Sequence, residues 1–77
     1  MTIQEQLTAL VGRRVEVTSR YYSLTVWGRL ECRDAIGDSF EVRGESYLLP
    51  NAKGGIALFN TGDIDHIVGS MIVLRTW

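Results

Sequence analysis

The sequence contains very little of several residue types on which small domains often depend. Among its 77 residues there is one cysteine, one histidine and one proline. Cys32 therefore has no partner for a disulfide within the chain, and with His66 alone it cannot build a cysteine–histidine zinc site. No unbroken apolar run exceeds that of Met71–Leu74, so we predict no membrane-spanning helix. We expect no signal peptide, and an unpaired cysteine is typical of a cytoplasmic protein.

Positive charge is also scarce. The net charge is −1, and seven of the eight basic residues are arginines, with Lys53 as the single lysine. Proteins that bind nucleic acid regardless of sequence usually have a basic excess, so the composition argues against that class. This composition is still compatible with a local basic site, because arginine suits stacking and bidentate phosphate contacts. The alternative, that the arginines only cover polar strand faces, stays open.

The residues that are present favour one globular domain over residues 1–77. An apolar content of 45% is too high for a disordered chain. A domain of this size buries only roughly 60% of its unfolded surface, so we expect oligomerisation to support it. Thr2 and Glu5 have the spacing of a capping box, and apolar residues then recur at helical spacing until Gly12. A short helix over about residues 2–11 is predicted.

The rest of the chain predicts five or six short strands separated by turns. They cover residues 13–20, 24–33, 39–43 (with a further extension through Leu49), 56–59, 64–68 and 71–77. Gly28, in the middle of the second strand, indicates a bend or a close approach of two backbones. The order of elements favours a mostly β fold: a small, strongly bent five-stranded antiparallel barrel with a possible extra C-terminal strand.

Two stretches resemble the two sequence motifs of the Sm-like family. The first combines alternating apolar residues, a Gly-x-Leu, an aspartate and a further apolar strand, at Val15, Val17, Gly28, Leu30, Asp34, Phe40 and Val42. The second covers residues 56–67, where Gly62 is the turn glycine and Ile64 and Ile67 are the two apolar positions that follow. The resemblance implies an N-terminal helix, an Sm-like (SH3-like) barrel and a cyclic homo-oligomer of roughly five to seven subunits. It also implies binding of single-stranded RNA.

By position in these motifs, four residues correspond to the RNA-binding turns of the family. These are Ile36, Asp38, Thr61 and Gly62. Uridine-binding members have an aromatic residue or histidine and an asparagine in the first turn, and an arginine in the second. Here Ile36 and Asp38 stand in the first turn and Thr61 replaces the arginine. The stacking group, the amide and the cation are therefore missing, which argues against the usual uridine pocket.

A second group of residues offers basic or stacking contacts outside these turns. Its members are Arg13, Arg14, Trp27, Arg29 and Lys53. Aromatic side chains beside arginines can stack nucleic-acid bases, and they are equally enriched at protein interfaces. Trp27 could also simply pack beneath the helix or a neighbouring loop. These three alternatives stay open.

Two further expectations concern burial. Met71–Leu74 is apolar on both faces and would aggregate as an exposed edge strand, so we expect a neighbouring subunit to cover it. Cys32 falls on the inward face of the second strand and is expected to be a small buried hydrophobe.

The sequence contains no nucleophile–base pair, metal-ligand cluster or cofactor motif, so we expect no enzyme, no metal and no cofactor. Two functions follow. The first is a ring-forming Sm-like protein that binds RNA or assembles with it. The second is an Sm-like or SH3-like scaffold that binds other proteins and not RNA.

Overall fold

The computed structural model describes residues 2–20, 25–46 and 55–75. Within these residues the chain forms one helix, six strands and one 3-10 turn. They are α1 (Ile3–Leu10), β1 (Arg14–Ser19), β2 (Thr25–Cys32), β3 (Ser39–Ser46), β4 (Gly55–Asn60), the 3-10 turn Thr61–Asp63, β5 (Ile64–Val68) and β6 (Met71–Leu74). The predicted mostly β class with an N-terminal helix is confirmed. Lys53 and the predicted extension of β3 through Leu49 lie outside the described residues.

Helix α1 begins with the capping box that the sequence predicts. The Thr2 hydroxyl accepts from the Glu5 amide at 3.1 Å, and the Glu5 carboxylate accepts from the Thr2 amide at 3.2 Å. Gly12 follows the helix with a φ of 84°, a conformation that glycine adopts without strain. Eight residues do not form a stable helix alone in water, so α1 depends on burying Leu7 in the core of the sheet.

The six strands form one mixed sheet in the order β4-β3-β2-β1-β6-β5. All neighbouring pairs are antiparallel except β1 and β6, which are parallel. The sheet is not closed, since β4 and β5 lie at its two ends. It therefore differs from the expected five-stranded antiparallel barrel. A tight hairpin at Gly69 folds β6 back along β5, and β6 pairs in parallel with β1, so that β5 is left as an end strand.

The two end strands are nevertheless consecutive in the chain. Only the 3-10 turn Thr61–Asp63 separates β4 from β5. The four Cα steps from Asn60 to Ile64 span at most about 14 Å. A sheet of six strands can bring its two edges this close only if it bends strongly. A hydrogen bond from the amide of Arg75, which follows β6, to the carbonyl of Asp63 at 2.8 Å holds the turn that joins the two edges.

The concave side of the sheet holds a single core. Alternate residues of β1, β2, β3, β4 and β6 contribute to it, as the sequence pattern predicts, together with Ile64 of β5. Its buried members are Leu7, Val15, Val17, Val26, Leu30, Phe40, Val42, Ala57, Phe59, Ile64, Ile72 and Leu74. The rings of Phe40 and Phe59 stack across β3 and β4 with centroids 6.1 Å apart.

Met71–Leu74 is covered, as predicted, but by its own chain and not by a neighbouring subunit, and the predicted burial of Cys32 is wrong. Met71–Leu74 is not an edge strand, because it lies between β1 and β5. Cys32 is exposed. Helix α1 ends at Leu10 and leaves an open pocket beside the end of β2, so the last inward position of that strand lies beyond the core.

The predicted close approach at Gly28 is confirmed, and Gly44 is its partner. The two glycines lie directly opposite each other in β2 and β3. A Cβ atom on Gly28 would overlap the carbonyl of Arg43, and one on Gly44 would overlap the carbonyl of Trp27. Both obstacles are backbone atoms, so the strands themselves would have to separate.

We expect Gly44→Ala to lower the free energy of unfolding by about 1–3 kcal/mol, the usual cost of overpacking. Gly62→Ala is the matched control, because nothing lies within 4 Å of its added methyl group, and it should change stability by less than about 0.5 kcal/mol. Urea unfolding of both variants measures the difference. Equal stability of the two variants would contradict the close approach of β2 and β3.

Candidate nucleic-acid interface

The structure brings together the two turns that the family resemblance singled out. The amide of Thr61 donates to the carbonyl of Asp38 at 3.1 Å, and the Thr61 hydroxyl donates to the Asp38 carboxylate. Gly62 belongs to the same junction as the next residue of the 3-10 turn. Ile36 lies at the tip of the other turn, where 76% of its surface is exposed.

Asp34 shapes the first of these turns. One of its carboxylate oxygens accepts from the amides of Gly37 and Asp38, both at 3.0 Å, and the other from the amide of Ser39 at 3.2 Å. The hydrogen bond from Asp38, with those from the other two amides, holds the pKa of Asp34 below its ordinary value. The Gln4 side chain donates to the carbonyls of Ile36 and Gly37 at 3.3 and 3.1 Å, so α1 is tied to the turn.

This junction is poorly suited to phosphate. Its polar side chains include the three carboxylates of Asp34, Asp38 and Asp63, and their oxygens accept hydrogen bonds that hold the turns. No basic side chain takes part in these bonds within the described ranges. The residues predicted by position in the motifs therefore come together, but they form an acidic structural junction.

A row of three arginines lies instead on the convex side of the sheet. Arg14 of β1 is directly opposite Arg29 of β2, which is directly opposite Arg43 of β3. Each arginine is next to a buried residue of the same strand: Val15, Leu30 and Val42, respectively. Since neighbouring residues of a strand point to opposite faces, all three arginines point outward, and they are exposed. We call Arg14, Arg29 and Arg43 the outer arginine row.

The next outward position along β2 and β3 is acidic. Glu31 and Glu41 are directly opposite each other, and we call this pair the glutamate row. Each forms an ion pair with the arginine of its own strand: Arg29 Nε lies 3.6 Å from Glu31 Oε1, and Arg43 Nη2 lies 3.3 Å from Glu41 Oε2. Arg14 has no ion pair within the part of the chain that the structure describes.

Charge on this surface is therefore sorted into rows. Residues of like charge face each other across strands, while opposite charges alternate along each strand. Like charges directly opposite are destabilising in a sheet. The ion pairs along β2 and β3 offset part of this cost.

Trp27 lies on the other side of the outer arginine row. It precedes Arg29 by two residues on the same face of β2 and is half-buried. Its indole N–H donates to the carboxylate of Glu16, on the neighbouring strand, at 3.1 Å. Helix α1 packs through Leu7 onto the opposite, concave side of the sheet, so Trp27 does not pack beneath the helix.

Arg13 and Arg43 complete the comparison with the sequence predictions. Arg13 is exposed just before β1, close to the row, and the side chain of Arg29 donates to the neighbouring carbonyl of Gly12 at 3.0 Å. Arg43 was not among the predicted contacts. The sequence could have indicated its place beside Arg29, because the two arginines are equally distant along the chain from Ile36, the centre of the β2–β3 hairpin.

A separate pocket of about 390 Å³ lies between α1 and the Asp34 turn. It is lined by Thr8, Val11, Cys32, Asp34, Ala35, Gly37 and Phe40. Its polar groups already have partners: the Thr8 hydroxyl donates to the carbonyl of Gln4, and the Cys32 thiol donates to the carbonyl of Asp34 at 3.2 Å. We assign no ligand to it.

Comparison with models of protein families finds no matching family, and comparisons with curated proteins and with solved structures find no significant match. In the described ranges, no helix is both long and apolar enough to cross a membrane. The same residues include no cluster of three or more histidine, cysteine, aspartate or glutamate side chains able to hold a metal ion.

We expect Asp34→Asn to destabilise the protein at pH 7, and the difference from wild type to shrink on acidification. Because the pKa of Asp34 is lowered on folding, its contribution is present above the unfolded value of about 3.9. It is lost as the pH falls through the lower folded value. Urea unfolding at pH 7 and pH 3 measures this, with Glu31→Gln as the control on the exposed sheet face. An equal loss for Asp34→Asn at both pH values would contradict this role.

Proposed function

We propose that the protein is a divergent Sm-like subunit that assembles into a cyclic homo-oligomer and binds single-stranded RNA on the convex face of β1–β3. The observation that carries the RNA-binding part is the outer arginine row with Trp27 beside it. Aromatic platforms next to cationic side chains are the usual means of binding single strands without strict sequence preference.

The row is well spaced to contact a phosphate backbone. Neighbouring strands are about 4.8 Å apart, so the three arginines extend over about 10 Å. Guanidinium groups bind phosphate oxygens in a bidentate fashion. Arg14 has no ion pair among the described residues, and the pairs of Arg29 and Arg43 with glutamate at the sheet surface are each worth less than about 1 kcal/mol. RNA phosphates can therefore replace both glutamates.

The location of this surface also accounts for the altered turn residues. Family members that bind uridine use the two turns, whereas here Asp38 and Thr61 bond to each other. In our proposal the contacts have moved from the turns to the sheet face, and the turns keep a structural role.

Assembly into a ring is supported by the two open edges of the sheet. Strand β4 has no charged residue and no proline, and its Ile56 and Leu58 are about half exposed. Edge strands without such protection tend to pair with another chain. Pairing β4 of one subunit with β5 of the next is a head-to-tail contact, and a closed series of such contacts gives a ring of roughly five to seven subunits. In such a ring the open, bent sheet serves as the Sm-like barrel of each subunit.

A second candidate function is a scaffold that binds other proteins and not RNA. The apolar edge at Ile56 and Leu58 favours it, as do the glutamates that neutralise two of the three arginines. In that case the edge would receive a strand from a different protein by β-augmentation.

We expect the purified protein to bind a fluorescent oligouridine at low salt, with affinity that falls as salt rises. Arg14→Ala and Arg43→Ala should each reduce the slope of log K against log salt by about 0.7, the contribution of one phosphate contact to a single strand. Arg20→Ala removes the same charge outside the row, where Arg20 pairs with Asp65, and should leave the slope unchanged. Absence of binding at low salt would refute the RNA-binding proposal.

Native mass spectrometry tests the ring separately. We expect roughly five to seven chains for the wild type, and monomers for Ile56→Lys because a charge on the edge of β4 opposes strand pairing. Ile36→Lys, at an exposed turn outside both edge strands, should assemble like the wild type. A monomeric wild type would refute the ring and leave the RNA-binding proposal to its own test.

A further inference from the structure

The geometry points to a path for the RNA: we infer that a single strand crosses the sheet at right angles to β1, β2 and β3, along the outer arginine row. The glutamate row then excludes double-stranded RNA. This inference rests on the proposed RNA binding and adds both a direction and a substrate class to it.

The direction follows from how the charges are arranged. A phosphate chain that ran along β2 would meet Arg29 and then Glu31, two residues or about 7 Å further on. A chain that ran along β3 would meet Arg43 and Glu41 in the same way. Only the path from Arg14 through Arg29 to Arg43 keeps every phosphate beside an arginine.

The side on which the bases lie follows from the two neighbours of this path. On one side stands the glutamate row, where the Glu31 side chain is 52% exposed. On the other side Trp27 offers an aromatic surface; it lies directly opposite Glu16 of β1 and Glu45 of β3 in the strand register, and its N–H is bonded to Glu16. Bases extended toward Trp27 gain stacking energy. The phosphates stay on the arginines, since carboxylates lie on both sides of the outer arginine row.

A duplex does not meet these conditions. Its bases are paired and stacked inside the helix, so none can reach Trp27. Its second backbone runs beside the first across a groove, and with one strand on the arginines the neighbouring phosphates approach Glu31 and Glu41. Repulsion between these charges is modest in water but acts on the duplex and hardly at all on a single strand. The glutamate row thus makes the surface selective for single strands.

The simpler explanation of Glu31 and Glu41 is that they only neutralise Arg29 and Arg43. The two explanations differ in a measurable ratio. If the glutamates only neutralise, their removal strengthens binding of single-stranded and double-stranded RNA by the same factor. If they exclude the duplex, their removal strengthens duplex binding more.

The experiment measures the affinities of the full chain for an oligouridine and for an RNA duplex of the same length, at one low salt concentration, by fluorescence anisotropy. We expect the double variant Glu31→Gln/Glu41→Gln to bind the single strand a few-fold more tightly and the duplex about tenfold more tightly, given the counterion dependence of such contacts. The preference for single strands should therefore fall several-fold. Asp65→Asn, which removes a carboxylate from β5, should leave the preference unchanged.

The outcomes separate this inference from the proposal on which it rests. An unchanged preference in the double variant, with wild-type binding that still depends on Arg14 and Arg43, overturns the exclusion of duplexes alone. A wild type that binds neither RNA overturns both. Unfolding curves for each variant confirm that the affinities compare folded proteins. Glu→Gln substitutions on the outer side of the sheet are expected to fold, since the Glu31 and Glu41 side chains remain 52% and 24% exposed.

Discussion

The register between β2 and β3 determines most of this structure. It places Leu30 opposite Val42 in the core, Gly28 opposite Gly44 at the close approach, and Arg29 opposite Arg43 on the convex face. Shifting this register by one residue would turn every one of these side chains to the wrong face. Three hydrogen bonds from backbone amides to the Asp34 carboxylate fix the turn that sets the register, and Gln4 ties the helix to the same turn. Core packing, backbone contact and surface charge therefore all depend on one carboxylate.

The close approach of the two glycines has a direct effect on the candidate binding surface. With no Cβ between them, β2 and β3 come together at the position next to the arginines. The close contact fixes the separation of the two strands that carry Arg29 and Arg43. The flexible arginine side chains are therefore attached to a rigid backbone. Such a backbone favours binding, because only the side chains lose freedom when a ligand arrives.

Local features of the fold could be predicted from the sequence, and long-range ones could not. The capping box at Thr2 and Glu5 and the alternation in each strand depend on neighbouring residues, so the helix and the strand positions were predicted closely. The position of β6 depends on a pairing with β1 that joins distant parts of the chain, and nothing in Met71–Leu74 specifies that partner. The same limit explains Arg43: its charge is visible in the sequence, but its place beside Arg29 exists only once the hairpin register is known. Cys32 was predicted to be buried because alternation shows the face of a residue and not where the core ends.

The parallel pairing of β1 with β6 also has a consequence for how the chain acquires its structure during synthesis. The hairpins β2–β3, β3–β4 and β5–β6 join neighbouring segments and can form as soon as each has emerged from the ribosome. Strand β1, although made early, keeps one edge open until residues 71–74 are available, and Val17 lacks its neighbour Ile72 until then. Until residues 71–74 are made, the domain is therefore a set of hairpins with an exposed apolar strand, and it is completed only by its sixth strand.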